Sequence, residues 1–196
     1  MKDQSPDRHD DAPLTTSKDE GTVEKLGDRI PDAQGDSLSG ATVTINRPRN
    51  ELFAYWRDFG NVSSFMDNVE RVDVIDHVTS RWVVRGPADK MLEWDARITD
   101  EREDEFFAWT SAEGADVPNS GRVDFRDAPG GRGTAVTATI VYDPPGGAIG
   151  KIVAKMFQRE PAIQARRDLR RFKQLMETGE IATAAFTRAQ ALEEKE

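Results

Sequence analysis

The sequence contains no cysteine and only two histidines among its 196 residues. The absence of thiols excludes disulfides, cysteine nucleophiles, zinc–thiolate sites and iron–sulfur clusters. His9 lies in a polar N-terminal segment, so His77 alone remains for a folded region. Multi-histidine metal sites and Ser-His-Asp catalysis therefore have little support, and we expect neither a metal nor another cofactor.

Long apolar runs and an excess of positive charge are also missing. The chain has 27 Lys and Arg residues against 36 Asp and Glu residues, which gives a net charge of -9. Because nucleic-acid binding needs clustered positive charge, nucleic acid is not an expected partner. No run of about 18 apolar residues predicts a transmembrane helix, and the polar segment from Met1 to Pro6 does not resemble a signal peptide. These features favour a cytoplasmic location.

Composition divides the chain into three parts. Residues 1–40 hold ten acidic and five basic residues and no aromatic side chain. Such a segment buries too little apolar surface to offset its chain entropy, so we predict a disordered acidic tail. Residues 41–179 carry the patterned segments of a single domain. For the C-terminal tail, residues 180–196, the pattern leaves open whether a weak helix forms or the chain frays.

The patterning of apolar residues predicts seven strands and two short helices. The β-branched segment Thr42–Ile45 is the first predicted strand. Short helices are predicted over residues 49–58 and 62–66, since Pro48 suits the start of a helix. A period of two then predicts six further strands, over residues 69–77, 81–85, 91–99, 105–111, 122–127 and 134–142.

A long amphipathic helix is predicted from about residue 148 to residue 178. Its apolar residues recur at helical spacing along one face. Pro161 should kink or split this helix because its ring removes a backbone hydrogen bond. Gly179 should end it.

One face of the predicted sheet is charged and the other is apolar. Glu93, Asp95 and Arg97 alternate with apolar residues, which indicates a solvated face with ion pairs rather than a pair of catalytic carboxylates. The apolar face needs a cover, and the C-terminal helix is the only predicted element long enough. The sequence therefore predicts an α+β fold in which a curved, seven-stranded antiparallel sheet wraps around that helix.

Short segments spread over residues 41–179 carry a family resemblance. They are residues 42–48, 82–87, 93–98, 108–111, 121–125, 133–136, 142–147 and 168–173, together with Glu177. Their order resembles the helix-grip fold of the START-like superfamily, also called SRPBCC. The chain is most similar to its polyketide cyclase/dehydrase branch, which includes coenzyme-Q-binding START-like proteins. These are framework residues, so the resemblance is specific for the fold rather than for an activity.

The resemblance implies a cavity for an apolar ligand between the sheet and the C-terminal helix. The aromatic residues of the strands also fit an ordinary filled core, and both interpretations stay open. A hairpin register that pairs Trp94 with Trp109 and Ala96 with Phe107 would gather these rings into one cluster. The candidate lining residues are Trp82, Leu92, Trp94, Ala96, Phe107, Trp109, Val123, Phe125, Ala138, Ile140, Tyr142, Met156 and Ile163.

Three functions follow as alternatives. The first is binding or sequestration of a small hydrophobic ligand such as a lipid, a quinone or a polyketide-like aromatic compound. The second is a polyketide aromatase/cyclase-dehydratase, which needs an acid or base in the cavity. Tyr142 is a weak candidate for that role, since a buried phenol bonded to a backbone carbonyl fits the pattern better, and Arg85 is weaker still. The third is a regulatory or stress-linked interaction protein with a vestigial cavity.

A cluster of arginines on the predicted C-terminal helix suggests a further contact. Arg166, Arg167, Arg170 and Arg171 concentrate positive charge in an otherwise acidic chain. This pattern fits weak contact with an anionic membrane surface or an acidic partner, pairing with the acidic tail, or a solvated helix face. The sequence does not predict an oligomeric state. His77 is expected at a surface turn.

Overall fold

The computed structural model describes Ile30 and residues 37–86, 90–142 and 161–181 of the chain. Two α-helices, a 3-10 helix after the first of them and seven strands make up most of these residues. In chain order they are β1 (Ser37–Ile45), α1 (Arg49–Arg57), the 3-10 helix (Phe59–Ser64), β2 (Val69–Val74), β3 (Thr79–Arg85), β4 (Met91–Arg102), β5 (Phe106–Ser111), β6 (Asn119–Asp127), β7 (Thr134–Tyr142) and α2 (Pro161–Thr178).

The strands form one curved antiparallel sheet, and α2 packs against it. The strand order is β1-β7-β6-β5-β4-β3-β2. Strands β2 to β7 are thus adjacent in chain order, and β1 is the edge strand beside β7. This arrangement confirms the predicted α+β helix-grip fold with seven strands and two short helices after the first strand. The predicted helical segment before Pro161 lies outside the described residues.

Strand ends differ from the prediction where a neighbouring strand supplies partners. β1 begins at Ser37, ahead of the predicted start at Thr42, because β7 runs alongside it and places Tyr142 opposite Ser37. Serine and glycine have little strand propensity, but a complete ladder satisfies their backbone groups. Ile30, within the predicted tail, is also buried, with an exposed fraction of 4%.

The turn between β2 and β3 comes earlier than predicted. Asp76 accepts hydrogen bonds from the backbone N–H groups of Val78 and Thr79, each at 2.8 Å. An aspartate side chain bonded to the backbone two residues on stabilises a turn, so β2 ends at Val74 rather than His77. The same bonds to backbone N–H groups hold the pKa of the Asp76 carboxyl below its ordinary value. His77 is exposed in this turn, as predicted.

Polar contacts hold the middle and the C-terminal end of α2. Near its C-terminus, Arg47 donates to the carbonyl of Met176 at 2.8 Å and Lys173 donates to the carbonyl of Thr44 at 2.6 Å. Gly179 has φ +83° and ends the helix, as predicted.

On the preceding turns of α2, two arginines converge on one carboxylate. Asp67 lies within 3.1 Å of Arg167 and 2.8 Å of Arg171. Arg171 also donates to the carbonyl of Phe65 at 3.0 Å. These contacts join α2 to the segment between the 3-10 helix and β2.

Phenylalanine rings fill one part of the space between the sheet and the helices. We call this the packed region; it consists of Phe53, Phe65, Phe107, Phe125 and Phe172. The ring of Phe53 meets those of Phe125 and Phe107 edge-on at 5.6 Å and 6.1 Å, and Phe65 meets Phe172 at 4.8 Å. Edge-to-face contacts of this kind add about 0.5–1.5 kcal/mol each to the free energy of burial.

Among the helices that the structure describes, none combines the length and apolar character needed to cross a bilayer.

Candidate functional site

A cavity of about 200 Å³ lies between the inner face of the sheet and α2. Most of its wall is apolar. The described residues that border it are Trp56, Phe59, Met66, Val69, Ser80, Trp82, Val84, Trp94, Ala96, Arg97, Ile98, Trp109, Asn119, Val123, Ala138, Thr139, Ile140, Gln164, Ala165, Asp168 and Leu169.

Two tryptophans from neighbouring strands form one wall. Trp82 on β3 lies opposite Trp94 on β4, and their rings are parallel within 2° with centroids 6.4 Å apart. The indole N–H of Trp82 donates to the hydroxyl of Ser80 at 3.0 Å. With that bond made inside the protein, the Trp82 indole needs no polar partner from a ligand.

A third tryptophan is positioned by a glycine and an asparagine. Trp109 lies opposite Gly121 on β6, and a Cβ atom added to Gly121 would clash with the indole ring and come within 2.7 Å of the Thr139 carbonyl oxygen. The indole N–H donates to the side-chain oxygen of Asn119 at 3.1 Å, and the Asn119 amide nitrogen donates to Val117 O at 2.8 Å. A strand glycine here permits the close approach of the ring.

A carboxyl group on α2 also borders the cavity. Gln164 donates from Nε2 to Oδ1 of Asp168 at 2.9 Å. Burial raises the pKa of the Asp168 carboxyl to about 7, and the hydrogen bond from Gln164 only partly opposes this shift. Protonated and ionised forms therefore coexist near neutral pH.

Residues 45–170 match the family model for polyketide cyclase / dehydrase and lipid transport. The chain belongs to this family. The predicted resemblance to the START-like, polyketide cyclase/dehydrase branch is thereby confirmed. A search of curated proteins gave no match.

Solved structures similar to this chain agree with the observed fold. The protein DR_A0006 from Deinococcus radiodurans is 36% identical, with a TM-score of 0.61 over 74% of this chain and 99% of its own. TTHA0849 from Thermus thermophilus is 20% identical, with a TM-score of 0.59 over 70% of this chain and 95% of its own. The Zhui aromatase/cyclase from Streptomyces sp. R1128 is 13% identical, with a TM-score of 0.58 over 74% of this chain and 99% of its own, and shows likeness of fold alone.

The structure places seven of the candidate lining residues at the cavity. They are Trp82, Trp94, Ala96, Trp109, Val123, Ala138 and Ile140. Four others are not among the described residues that border it. Phe107 and Phe125 lie in the packed region, Leu92 packs with Val117, and Tyr142 is buried at the end of β7. Met156 and the side chain of Ile163 lie outside the described residues.

The register proposed for the β4–β5 hairpin is wrong. Ile98, rather than Trp94, lies opposite Trp109, and Ala96 lies opposite Ser111. The hairpin turn is shorter than predicted because β4 continues to Arg102, and a register shift follows Ile98. The tryptophans still border one cavity because Trp94 pairs with Trp82 on its other side.

Sequence reasoning missed Asp168 as a site residue. Ala165, Asp168, Leu169 and Phe172 follow the i, i+3, i+4, i+7 spacing of one helical face. That spacing places a carboxylate on a face that also carries the buried residues Leu169 and Phe172. Asp168 belongs to the framework segment 168–173 of the family resemblance and was not predicted to border the cavity.

The arginines of α2 are divided among different environments. Arg167 and Arg171 pair with Asp67, and Arg170 is exposed. Nε of Arg166 is buried without a hydrogen bond among the residues that the structure describes. Contact with an anionic surface through this cluster stays a prediction.

The charged residues of β4 form ion pairs with the neighbouring strand. Arg81 on β3 donates to both carboxylate oxygens of Asp95, at 2.8 Å and 3.1 Å. The hydrogen bond from Arg81 lowers the pKa of the Asp95 carboxyl. This pairing agrees with a solvated face rather than a catalytic carboxylate pair.

Proposed function

We propose that this chain binds a small apolar molecule, such as a lipid, a quinone or a polyketide-like aromatic compound, in the cavity between the sheet and α2. The observation that carries the proposal is the cavity itself, about 200 Å³ in volume and walled mainly by aromatic and aliphatic side chains. Apolar surface transferred from water into such a site contributes about 25 cal/mol per Å² before the costs of association.

The polar groups of the wall support the same proposal. The Ser80 hydroxyl and the Asn119 side-chain oxygen each accept a hydrogen bond from an indole of the same wall. Polar groups already paired inside the protein place little demand on a ligand. The wall thus favours a guest that is mostly hydrocarbon or aromatic.

Native mass spectrometry of the full chain as purified, followed by extraction into organic solvent, tests the proposal. We expect a bound mass that is released on extraction, and its loss in Ala138→Phe, which places a ring in the cavity. Ala54→Phe is the matched control, because Ala54 is exposed on α1 and does not border the cavity.

Two results together would count against binding. One is the absence of any adduct in the purified chain, and the other is an unchanged melting temperature across a panel of lipids, quinones and aromatic ketones. They would favour the remaining alternative, an interaction protein whose cavity is vestigial.

A second candidate function, aromatase/cyclase chemistry, is favoured by Asp168. A carboxyl group with a pKa of about 7 at the wall of an apolar cavity suits general acid–base catalysis near neutral pH. Asp168→Asn should abolish cyclisation of a synthetic poly-β-keto thioester while leaving its binding intact, and Tyr142→Phe tests the residue proposed from sequence. An unaltered cyclisation rate in Asp168→Asn, or no turnover by the unmodified chain, would count against this function.

A further inference from the structure

Among the described residues that border the cavity, Asp168 is the only one with a carboxyl group. The other described charged residue of the wall is Arg97, whose side chain is exposed. Asp168 lies between Ala165 and Leu169 on the α2 side of the cavity. A carboxyl group in such surroundings needs a hydrogen-bond partner or a proton.

The hydrogen bonding of Asp168 leaves one of its oxygens available. Gln164 donates to Oδ1 at 2.9 Å, and Oδ2 has no hydrogen-bond partner among the described residues. The Asn119 side-chain oxygen and the Ser80 hydroxyl, which belong to the same wall, are bonded to indole N–H groups. Oδ2 is therefore a polar atom of the wall that can meet a ligand.

The charged groups around Asp168 do not neutralise it. Arg167 and Arg171 favour the ionised form of Asp168, but both are bound to Asp67, at 3.1 Å and 2.8 Å, and Asp67 repels negative charge at Asp168. Arg97 is exposed. Burial without an ion pair favours the neutral acid, in agreement with the raised pKa of Asp168, about 7.

We propose that protonated Asp168 is the polar anchor of the cavity and donates a hydrogen bond from Oδ2 to a carbonyl oxygen of an otherwise apolar ligand. This inference rests on the proposed binding function and narrows it to neutral ligands that bear a ketone or quinone carbonyl. A carboxylate ligand is disfavoured because it would meet a second acid in an apolar site. A cationic amine would require the ionised form of Asp168.

The proposal has a defined pH dependence. The donor is present when Asp168 is protonated and is lost as the pH rises through about 7. Affinity for a carbonyl should fall over that interval more steeply than affinity for a hydrocarbon of the same shape, since only the carbonyl loses a hydrogen bond. An amine ligand would show the opposite trend.

Isothermal titration calorimetry of the full chain with three naphthalene derivatives tests the proposal. The probes are 2-acetonaphthone, its hydrocarbon isostere 2-isopropenylnaphthalene, and 1-(2-naphthyl)ethylamine. At pH 5.5, the ratio of ketone affinity to hydrocarbon affinity should fall about fivefold from the unmodified chain to Asp168→Leu. In the unmodified chain the same ratio should fall by a similar factor between pH 5.5 and pH 8.5.

Two variants separate the hydrogen bond from a general effect on folding. Asp168→Asn keeps a donor that does not titrate, so its ratio should stay high at both pH values. Asp95→Asn, on the outer face of β4, should behave as the unmodified chain does.

The outcomes are distinguishable. If the hydrocarbon binds but the ratio is the same in Asp168→Leu and the unmodified chain, the anchor is refuted and the binding function stands. If the amine gains affinity above pH 7 in an Asp168-dependent manner, Asp168 is an ionised site for cations and the proposal is overturned. If none of the three probes binds, two hypotheses are refuted: that Asp168 anchors the ligand, and that the cavity binds aromatic ligands.

Discussion

Phe107 and Trp109 lie two residues apart on β5 and have different surroundings. Phe107 is 1% exposed, and the rings of Phe53 and Phe59 cover it. Trp109 is half-buried beside the cavity, whose α2 wall includes Ala165 and Asp168. The comparison shows that a strand residue becomes core or cavity wall according to the size of the side chains that reach it from other elements.

The largest expected contrast comes from removing one ring on each side of this boundary. Phe125→Ala should reduce the free energy of unfolding by about 3–5 kcal/mol, because removal of the ring leaves a cavity in the packed region. Trp94→Ala should cost about 1–2 kcal/mol, since its indole borders space that is already open. Urea unfolding measures both. Equal losses would mean that the two regions are packed alike.

A smaller contrast concerns pH. The folded-state pKa of Asp168 is about 7 against an ordinary value of 3.8, so the folded protein binds this proton more tightly than the unfolded chain does. The stabilisation from this bound proton is fully present below about pH 4 and is lost as the pH rises towards 7. The free energy of unfolding falls by at most about 4 kcal/mol over that interval. Asp168→Asn removes the titration and should gain stability over the unmodified chain between pH 4 and pH 8.

Urea unfolding of both chains across that interval provides the measurement. No comparable loss is expected from the packed region, whose five named side chains are all phenylalanines. A stability difference between the two chains that does not change with pH would contradict a half-buried Asp168 that is protonated in the folded state.

Added volume should have different effects in the core and at the cavity wall. Val136 and Ala138 lie two residues apart on β7; Val136 is 0% exposed in the core and Ala138 borders the cavity. Val136→Phe should cost about 1–3 kcal/mol by overpacking, although it adds fewer atoms than Ala138→Phe. Ala138→Phe should change stability by less than about 1 kcal/mol, since the ring enters open space. Thermal unfolding measures both changes. A larger loss of stability in Ala138→Phe than in Val136→Phe would show that the cavity has no room for the ring.

The smallest effect is expected on the outer face of the sheet. Asp95→Asn removes an exposed ion pair with Arg81, and solvent-exposed pairs contribute little. The urea midpoint at pH 7 and the affinity for any cavity ligand should stay unchanged within error. A measurable loss of ligand affinity would show that the outer face of the sheet influences the cavity, contrary to this prediction.

Local rules were sufficient for most of the fold. β-branched residues located the first strand, alternation located the other six, and Gly179 ended α2 where predicted. Strand ends were less predictable because β1 extends to Ser37 only through its pairing with β7. The β4–β5 register also depends on a shift after Ile98 that alternation does not reveal.

The site was less predictable than the fold for the same physical reason. Phe107 and Trp109 have equivalent positions in the alternation, and only Phe53 and Phe59, distant in sequence, distinguish core from cavity wall. Asp168 is different, because the helical spacing of Ala165, Asp168 and Leu169 already placed it on a face with apolar residues. An acidic residue at apolar spacing on an amphipathic helix is thus the signal that sequence reasoning should have used.

The chain has four tryptophans, and Trp56, Trp82, Trp94 and Trp109 all border the same cavity. The tryptophan fluorescence of the protein therefore originates from indoles that border one cavity. A guest that displaces water there would shift the emission to shorter wavelength, and a quinone would quench it. The unlabelled protein thus carries an optical reporter of its own occupancy, suited to screening compound libraries in a plate reader.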